Sequence, residues 1–244
     1  MSRAGRIAVR RRWIAAAALA GVLAAGGPAA AADALRDQRR VMVERQVKGR
    51  GIADPGVLAA MEEVPRHLFV PEADLAAAYD DRPLPIGHGQ SVSQPYVVAL
   101  MTELLDLGPG DRVLEIGTGS GYHTAVLSRV AGEVASIEII EPMAVEARRR
   151  LGRLGYHNVE IRTGDGYKGW PEKAPFDAII LTAAPPRIPQ PLIDQLKVGG
   201  RMVAPVGGYI QDLQVITKTR DGIEKRTVIP VRLQPMTGQV REDG

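Results

Sequence analysis

A glycine-rich turn that follows an apolar stretch is the clearest chemical feature of the sequence. The stretch ends in Leu114-Glu115-Ile116, and the turn is Gly117-Thr118-Gly119-Ser120-Gly121. Glycines between a first strand and a helix let the backbone approach a bound ligand closely. The third glycine comes one residue too early for the dinucleotide pattern Gly-x-Gly-x-x-Gly, which places a pyrophosphate at the helix N-terminus. The turn therefore favours a ligand without a pyrophosphate, and Glu115 would suit a cationic amino-acid cofactor.

Two further acids stand at the ends of the next two predicted strands. Glu138 ends the second strand, where a carboxylate can accept hydrogen bonds from both hydroxyls of a ribose. Asp165, followed by Gly166, ends the third, where a carboxylate could meet an adenine amino group. Either acid alone reads as a solvated strand end, but together with the turn they predict one crevice for an adenosyl cofactor. The turn resembles the glycine motif of class I methyltransferases, which implies S-adenosylmethionine as cofactor and S-adenosyl-L-homocysteine as its product.

A second segment, just upstream of the turn, bears on the substrate. It reads Leu84-Pro85-Ile86-Gly87-His88-Gly89-Gln90-Ser91-Val92-Ser93-Gln94-Pro95-Tyr96 and closely resembles the signature of protein-L-isoaspartate O-methyltransferases. Similar motifs follow the family order at 64–71, 164–166, 176–186 and 235–237, and the resemblance covers roughly residues 40–238. It implies methylation of the free α-carboxylate of an isoaspartyl residue in a damaged protein, after which the ester closes to a succinimide and hydrolysis returns some normal aspartate.

The resemblance also implies roles for individual residues. Ser93 would be the catalytic residue, holding the substrate carboxylate beside the methyl group. The residues themselves also allow Ser93 to be only the N-cap of a helix that begins at Gln94. Ser91 and Val92 would border the cofactor, and Thr237 would close over it.

The candidate site residues form two further groups, and no metal ligand is expected. The cofactor group is Ser91, Val92, Glu115, Gly117, Thr118, Gly119, Ser120, Glu138, Asp165, Gly166 and Thr237. The substrate group is Pro85, Ile86, His88 and Gln90. His88 lies in a glycine-rich loop and reads as a substrate-loop residue, whereas His123 and His157 lack a partner at metal-ligand spacing and read as structural.

These residues require an α/β scaffold. From residue 107 onward, apolar strands alternate with amphipathic helices, which predicts a Rossmann-like, doubly wound, mostly parallel sheet. A helical and substrate-loop segment, 33–106, precedes this core and packs with it as one domain. Helices are expected at 34–50, 55–63, 72–80 and 94–105, with a loop at 81–90. Two β-rich stretches around Arg220-Asp221-Gly222 predict a C-terminal β-hairpin.

The first 32 residues read as a leader rather than as part of the fold. Five arginines precede a short apolar run and an alanine-rich exit, the pattern of a cleaved secretory signal peptide. The run is shorter than the roughly 20 residues of a membrane span. The expectation is therefore a periplasmic or secreted protein that is not membrane-bound after cleavage, whereas a translation start at Met42 would give a cytoplasmic one.

Charge and composition narrow the partners. The chain has 31 Lys and Arg against 28 Asp and Glu, but without the leader the balance becomes 26 against 28. The basic excess therefore belongs to the leader, and no nucleic-acid partner is expected. Zero cysteines exclude disulfides and Cys-ligated metals. A monomer is expected. Two alternatives remain open: a methyltransferase of this fold acting on RNA, another carboxylate or a small molecule, and an inactive binding module.

Overall fold

The computed structural model describes the backbone of residues 28–241. Of the predicted leader, residues 1–27 lie outside the described residues, and the remainder forms the start of a helix. No helix within the described range is long and apolar enough to cross a membrane.

The N-terminal segment is helical, as predicted. Helix α1, Pro28–Met42, continues through a π-helical turn at Val43–Val47 and a 3-10 turn at Lys48–Arg50. Helix α2 spans Pro55–Glu63, and the Asp54 side chain caps it by accepting a hydrogen bond from the Val57 amide at 2.8 Å.

The connection from α2 to the next helix contains two 3-10 turns and a small hairpin. The turns are Arg66–Phe69 and Glu72–Ala77, so the helix expected at 72–80 is a short 3-10 turn. The prediction of a loop at 81–90 is wrong in part. Strand β1, Leu84–Gly87, lies in this stretch and pairs antiparallel with β2, Gln90–Val92, which begins at its end. His88 adopts a left-handed conformation (φ 51°) between two glycines that do the same, which allows the tight reversal.

The remaining helices and parallel strands follow the predicted alternation. Helix α3 precedes the sheet and covers Pro95–Leu105. The next elements in chain order are β3 Arg112–Ile116, α4 Tyr122–Val130, β4 Glu133–Glu138, α5 Glu141–Arg153, β5 Val159–Thr163, β6 Phe176–Leu181, α6 Gln190–Gln195 and β7 Leu196–Gly207. These five strands are parallel and run in the spatial order β5-β4-β3-β6-β7.

The C-terminal hairpin is confirmed. Strand β8, Gln211–Thr219, pairs antiparallel with β7, and β9, Gly222–Val231, pairs antiparallel with β8, which completes a seven-stranded sheet.

The two faces of the sheet carry separate apolar cores, because alternate side chains of a strand point to opposite faces. In β6, Ala178 and Ile180 join the core that includes α2, α3 and α4. Ile179 and Leu181 join the opposite core, which includes α6 and the C-terminal segment. Both faces are covered, as a doubly wound sheet requires. The carboxyl ends of β3, β4 and β6 are thereby held at one edge.

Candidate active site

A large cavity opens at the carboxyl ends of β3, β4 and β6. It encloses about 1160 Å³. Its wall combines the glycine turn after β3, the segment from β2 into α3, the turn between β7 and β8, and the chain after β9. Of the predicted site residues, the wall includes Ile86, Gln90, Ser91, Val92, Ser93, Gly117, Thr118, Gly119, Ser120, Glu138, Gly166 and Thr237.

The glycine turn is held in a conformation that a larger residue at Gly117 would not permit. Gly117 has φ 99°, and a Cβ atom there would overlap the Thr182 hydroxyl. That hydroxyl lies 2.6 Å from the Gly117 carbonyl and 3.1 Å from the Ile116 carbonyl. Thr182, which directly follows β6, thus fixes the turn from the neighbouring strand.

Glu138, at the end of β4, occupies the position predicted for it. One carboxylate oxygen accepts the Gly119 amide at 2.8 Å, and the other accepts the Ile140 amide at 2.9 Å. The side chain is 5% exposed and contributes to the cavity wall. A carboxylate has lone pairs for further donors, so Glu138 can fix the glycine turn and still accept hydrogen bonds from ribose hydroxyls.

Glu115 does not reach the cavity, and the prediction that it contacts the cofactor is corrected. Strand alternation directs its side chain beneath the turn, where it is fully buried. Its carboxyl accepts hydrogen bonds from Thr124 at 2.5 Å and Ser136 at 2.6 Å, and Ser136 lies 2.6 Å from the Thr118 hydroxyl. Burial raises the pKa of Glu115 from 4.5 to about 8, with the hydrogen bonds opposing that rise and the charge of Glu138 adding to it. Glu115 therefore supports the turn from below, as a neutral group near pH 7.

Asp165 also lies outside the cavity wall, although Gly166 beside it is part of the wall. Its carboxylate accepts the Tyr167 amide at 2.9 Å and the Gln239 amide at 2.7 Å. Asp165 thereby anchors the C-terminal segment that carries Thr237 into the wall. Its predicted contact with adenine stays a prediction.

Ser93 is not the cap of the following helix. Helix α3 begins at Pro95, its N-cap residue is Gln94, and no side chain caps it. The side-chain amide of Gln94 instead donates to the Asp81 carboxylate at 2.8 Å. Ser93 is half-buried in the cavity wall. The capping alternative is thus wrong for Ser93, and its catalytic role stays a prediction.

The hairpin that precedes Ser93 divides the predicted substrate group. Ile86 and Gln90 lie in the cavity wall, whereas Pro85 and His88 are exposed and lie outside it. The alternation of β1 explains the difference between Pro85 and Ile86, and the hairpin turn directs His88 away.

His123 reaches the cavity wall but offers no base. Thr102 donates its hydroxyl proton to the Val98 carbonyl at 2.8 Å, so its oxygen accepts from His123 Nε2 at 3.1 Å. Burial lowers the pKa of His123 to about 3, so the imidazole is neutral. Within residues 28–241, no cluster of three potential metal ligands occurs.

Several wall residues carried no recognisable signal in the sequence. Arg50 lies 3.6 Å above the Tyr96 ring and pairs with Asp81 at 3.2 Å. Arg232 and Tyr209 enter the wall from the C-terminal half. Arg50, Tyr209 and Arg232 lie outside the two motifs in the sequence. Of these wall residues, only Tyr96 belongs to a motif, the second one.

Position and geometry together define the class of protein. In an open α/β sheet, ligands bind outside the carboxyl ends of the strands where the connections diverge. Here β4 and β6 lie on opposite sides of β3, and the cavity lies at the carboxyl end of β3 between them. With the early third glycine and an acid at the end of β4, this is the site of an S-adenosylmethionine-dependent methyltransferase.

Comparison with known proteins identifies the family. The model of the Protein-L-isoaspartate(D-aspartate) O-methyltransferase (PCMT) family matches residues 37–241. The chain is 56% identical over 198 residues to protein-L-isoaspartate O-methyltransferase 2 of Polaromonas sp. (strain JS666 / ATCC BAA-500), covering 80% of this chain and 94% of that protein. The chain belongs to the PCMT family.

Solved structures agree. A protein-L-isoaspartate O-methyltransferase superposes with a TM-score of 0.77 at 32% identity, over 83% of this chain and 67% of that one. A proposed family member from Plasmodium falciparum, solved in complex with S-adenosyl-L-homocysteine, superposes with a TM-score of 0.70 at 27% identity, over 82% of this chain and 98% of that one. The predicted Rossmann-like fold and family are confirmed.

Proposed function

We propose that the chain methylates the free α-carboxylate of isoaspartyl residues in damaged proteins, and that Ser93 and Glu138 serve the two sides of one cavity. The observation that carries the proposal is that the segment from β2 into α3 and the glycine turn border the same open cavity. A methyl donor and an acceptor held by these two elements would share this cavity.

The cofactor side of the cavity fits S-adenosylmethionine. We assign the ribose hydroxyls to the carboxylate of Glu138 in the wall, and Ile139, 40% exposed beside it, offers an apolar surface to a purine. The backbone of Gly117 and Gly119 allows close approach of the amino-acid part. When bound, S-adenosylmethionine supplies a methyl group already activated by a positively charged sulfur.

The acceptor side requires positioning rather than a base. A carboxylic acid with an ordinary pKa near 4 is already ionised at neutral pH. The acceptor therefore needs no general base, and the reaction does not depend on His123 accepting a proton. In this proposal the Ser93 hydroxyl, in the cavity wall, donates to one carboxylate oxygen while the other faces the methyl group. Correct alignment of two reactants in this manner is worth about 7–11 kcal/mol of the barrier. The resulting methyl ester is released, and the following backbone amide nitrogen of the substrate then attacks the ester carbonyl, expelling methanol and closing the succinimide without further help from the protein.

A peptide pair tests the proposed function. A synthetic isoaspartyl peptide and its normal aspartyl twin are incubated with the purified protein and labelled S-adenosylmethionine. We expect base-labile methyl ester on the isoaspartyl peptide only. Equal methylation of both peptides, or methylation of neither while the protein binds S-adenosyl-L-homocysteine, would contradict the proposal and favour another carboxylate or a small molecule as acceptor.

We also propose that residues 1–32 direct export and that the mature protein works as a monomer in the periplasm or outside the cell. The basic, apolar and alanine-rich order of the leader supports this proposal. N-terminal sequencing of the natural protein tests it: a start near Asp33 supports export, whereas a start at Met42 supports the cytoplasmic alternative.

A further inference from the structure

The turn between β7 and β8 presents two large apolar side chains to solvent. Tyr209 is 95% exposed and Ile210 is 76% exposed. Among the described residues, the next most exposed large hydrophobic side chain is Val198, at 59%. Contiguous exposed apolar surface is where proteins bind partners, and these two neighbours are the most exposed large hydrophobic side chains among the described residues.

The exposure of this pair follows from a fixed backbone. Gly207 has φ 133°, and a Cβ atom there would overlap the Ile210 carbonyl, so the turn closes tightly on itself. Its amide donates to the Pro185 carbonyl at 3.0 Å. The buried Gln211 side chain donates to the Leu233 carbonyl at 3.0 Å and accepts the Leu233 amide at 2.8 Å. The turn is therefore fastened on both sides and holds Tyr209 and Ile210 outward.

Tyr209 lies at the active-site cavity, and Ile210 follows it directly in the turn. Gly208 and Tyr209 are part of the cavity wall, together with Arg232 and Gln234 from the chain after β9. Gln211 joins these two wall segments through Leu233. Tyr209 thus connects the exposed pair to the cavity proposed to hold the methyl acceptor.

The acceptor carboxylate belongs to a polypeptide, so the residues beside it must leave the cavity across its rim. We propose that Tyr209 and Ile210 form a docking platform for an apolar side chain that flanks the isoaspartyl residue of the substrate. This inference rests on the proposed function and adds a sequence preference to it. An aromatic ring and a branched aliphatic chain on a rigid turn would bind such a side chain with little loss of conformational entropy.

Two isoaspartyl peptides that differ only in the flanking residues, leucine in one and serine in the other, test the inference. The enzymes are the wild type, the double variant Tyr209→Ser/Ile210→Ser, and the control Val198→Ser, which removes an exposed apolar side chain outside the cavity wall. We expect the wild type and the control to show a KM about tenfold lower for the leucine peptide. The double variant should lose this preference through a higher KM for the leucine peptide, with kcat unchanged.

The outcomes separate the inference from the proposed function. If neither peptide is methylated although S-adenosyl-L-homocysteine binds, the proposed function fails. If both are methylated with equal KM by the wild type, or the preference persists in the double variant, the platform is refuted. Sedimentation completes the test: a wild-type dimer that dissociates in the double variant would assign the surface to a second copy of the chain instead.

Discussion

The buried carboxyl of Glu115 gives a quantitative prediction about stability and pH. Its pKa rises from 4.5 to about 8 on folding, mainly because burial disfavours the charged form. A group whose folded pKa lies above its unfolded pKa stabilises the protein at low pH, and that stability is lost as the pH rises through the folded value. Between pH 5.5 and 8 the Glu115 carboxyl is ionised in the unfolded chain, whereas in the folded chain it keeps its proton until the pH approaches 8.

The magnitude follows from the two pKa values. Each pH unit in this window lowers the contribution of Glu115 to the free energy of unfolding by about 1.4 kcal/mol, and this slope levels off near pH 8. The contribution of Glu115 to the free energy of unfolding should therefore fall by about 3 kcal/mol from pH 5.5 to pH 8. Glu115→Gln is the matched neutral variant, because an amide oxygen can still accept from Thr124 and Ser136.

Urea denaturation of both proteins at several pH values measures this difference. Subtracting the variant from the wild type cancels the other titrating groups, which are common to both. We expect the wild type to lose about 3 kcal/mol relative to Glu115→Gln across the window. Parallel pH profiles for the two proteins would refute the reasoning, because they would mean that Glu115 has the same ionisation in the folded and unfolded states.

Three further predictions concern the cavity. Ser93→Ala should lower kcat by about 10- to 100-fold, the value of a hydrogen bond to a charged group, without changing the unfolding midpoint; Ser128→Ala, on α4 outside the cavity wall, is the control, and wild-type turnover in Ser93→Ala would remove Ser93 from the mechanism. Glu138→Gln should weaken binding of S-adenosyl-L-homocysteine by about 10- to 100-fold in calorimetry, because an amide cannot accept at both of its polar atoms; an unchanged Kd would contradict the role given to Glu138. Arg232→Gln should raise the KM for an isoaspartyl peptide about three- to tenfold at low salt and less at high salt, since an exposed cation attracts the acceptor carboxylate. Arg226→Gln, an equal charge change on the exposed part of β9, is the control and should leave KM unchanged. Equal effects of the two variants would mean that Arg232 acts only through the net charge of the protein.

Local patterns were sufficient for most of the fold. The alternation of apolar strands with helices from residue 107 onward predicted the parallel strands β3 to β7. The hairpin β8–β9 followed from its two β-rich stretches and central turn. The hairpin β1–β2 was missed because its strands are too short to show an alternating pattern, and its identity depends on the left-handed turn at His88.

The same limit applies to the site. The sequence by itself determined the family, the glycine turn and the acid at the end of β4, because these depend on residue type and short-range spacing. Tertiary structure decided which side chains face the cavity. Strand alternation and packing buried Glu115 beneath the turn, and the main-chain amide of Gln239, 74 residues away, engaged Asp165. The packing of the C-terminal hairpin brought Tyr209 and Arg232 to a motif more than a hundred positions earlier. Contacts between such distant segments depend on the closure of the whole sheet, which no local pattern records.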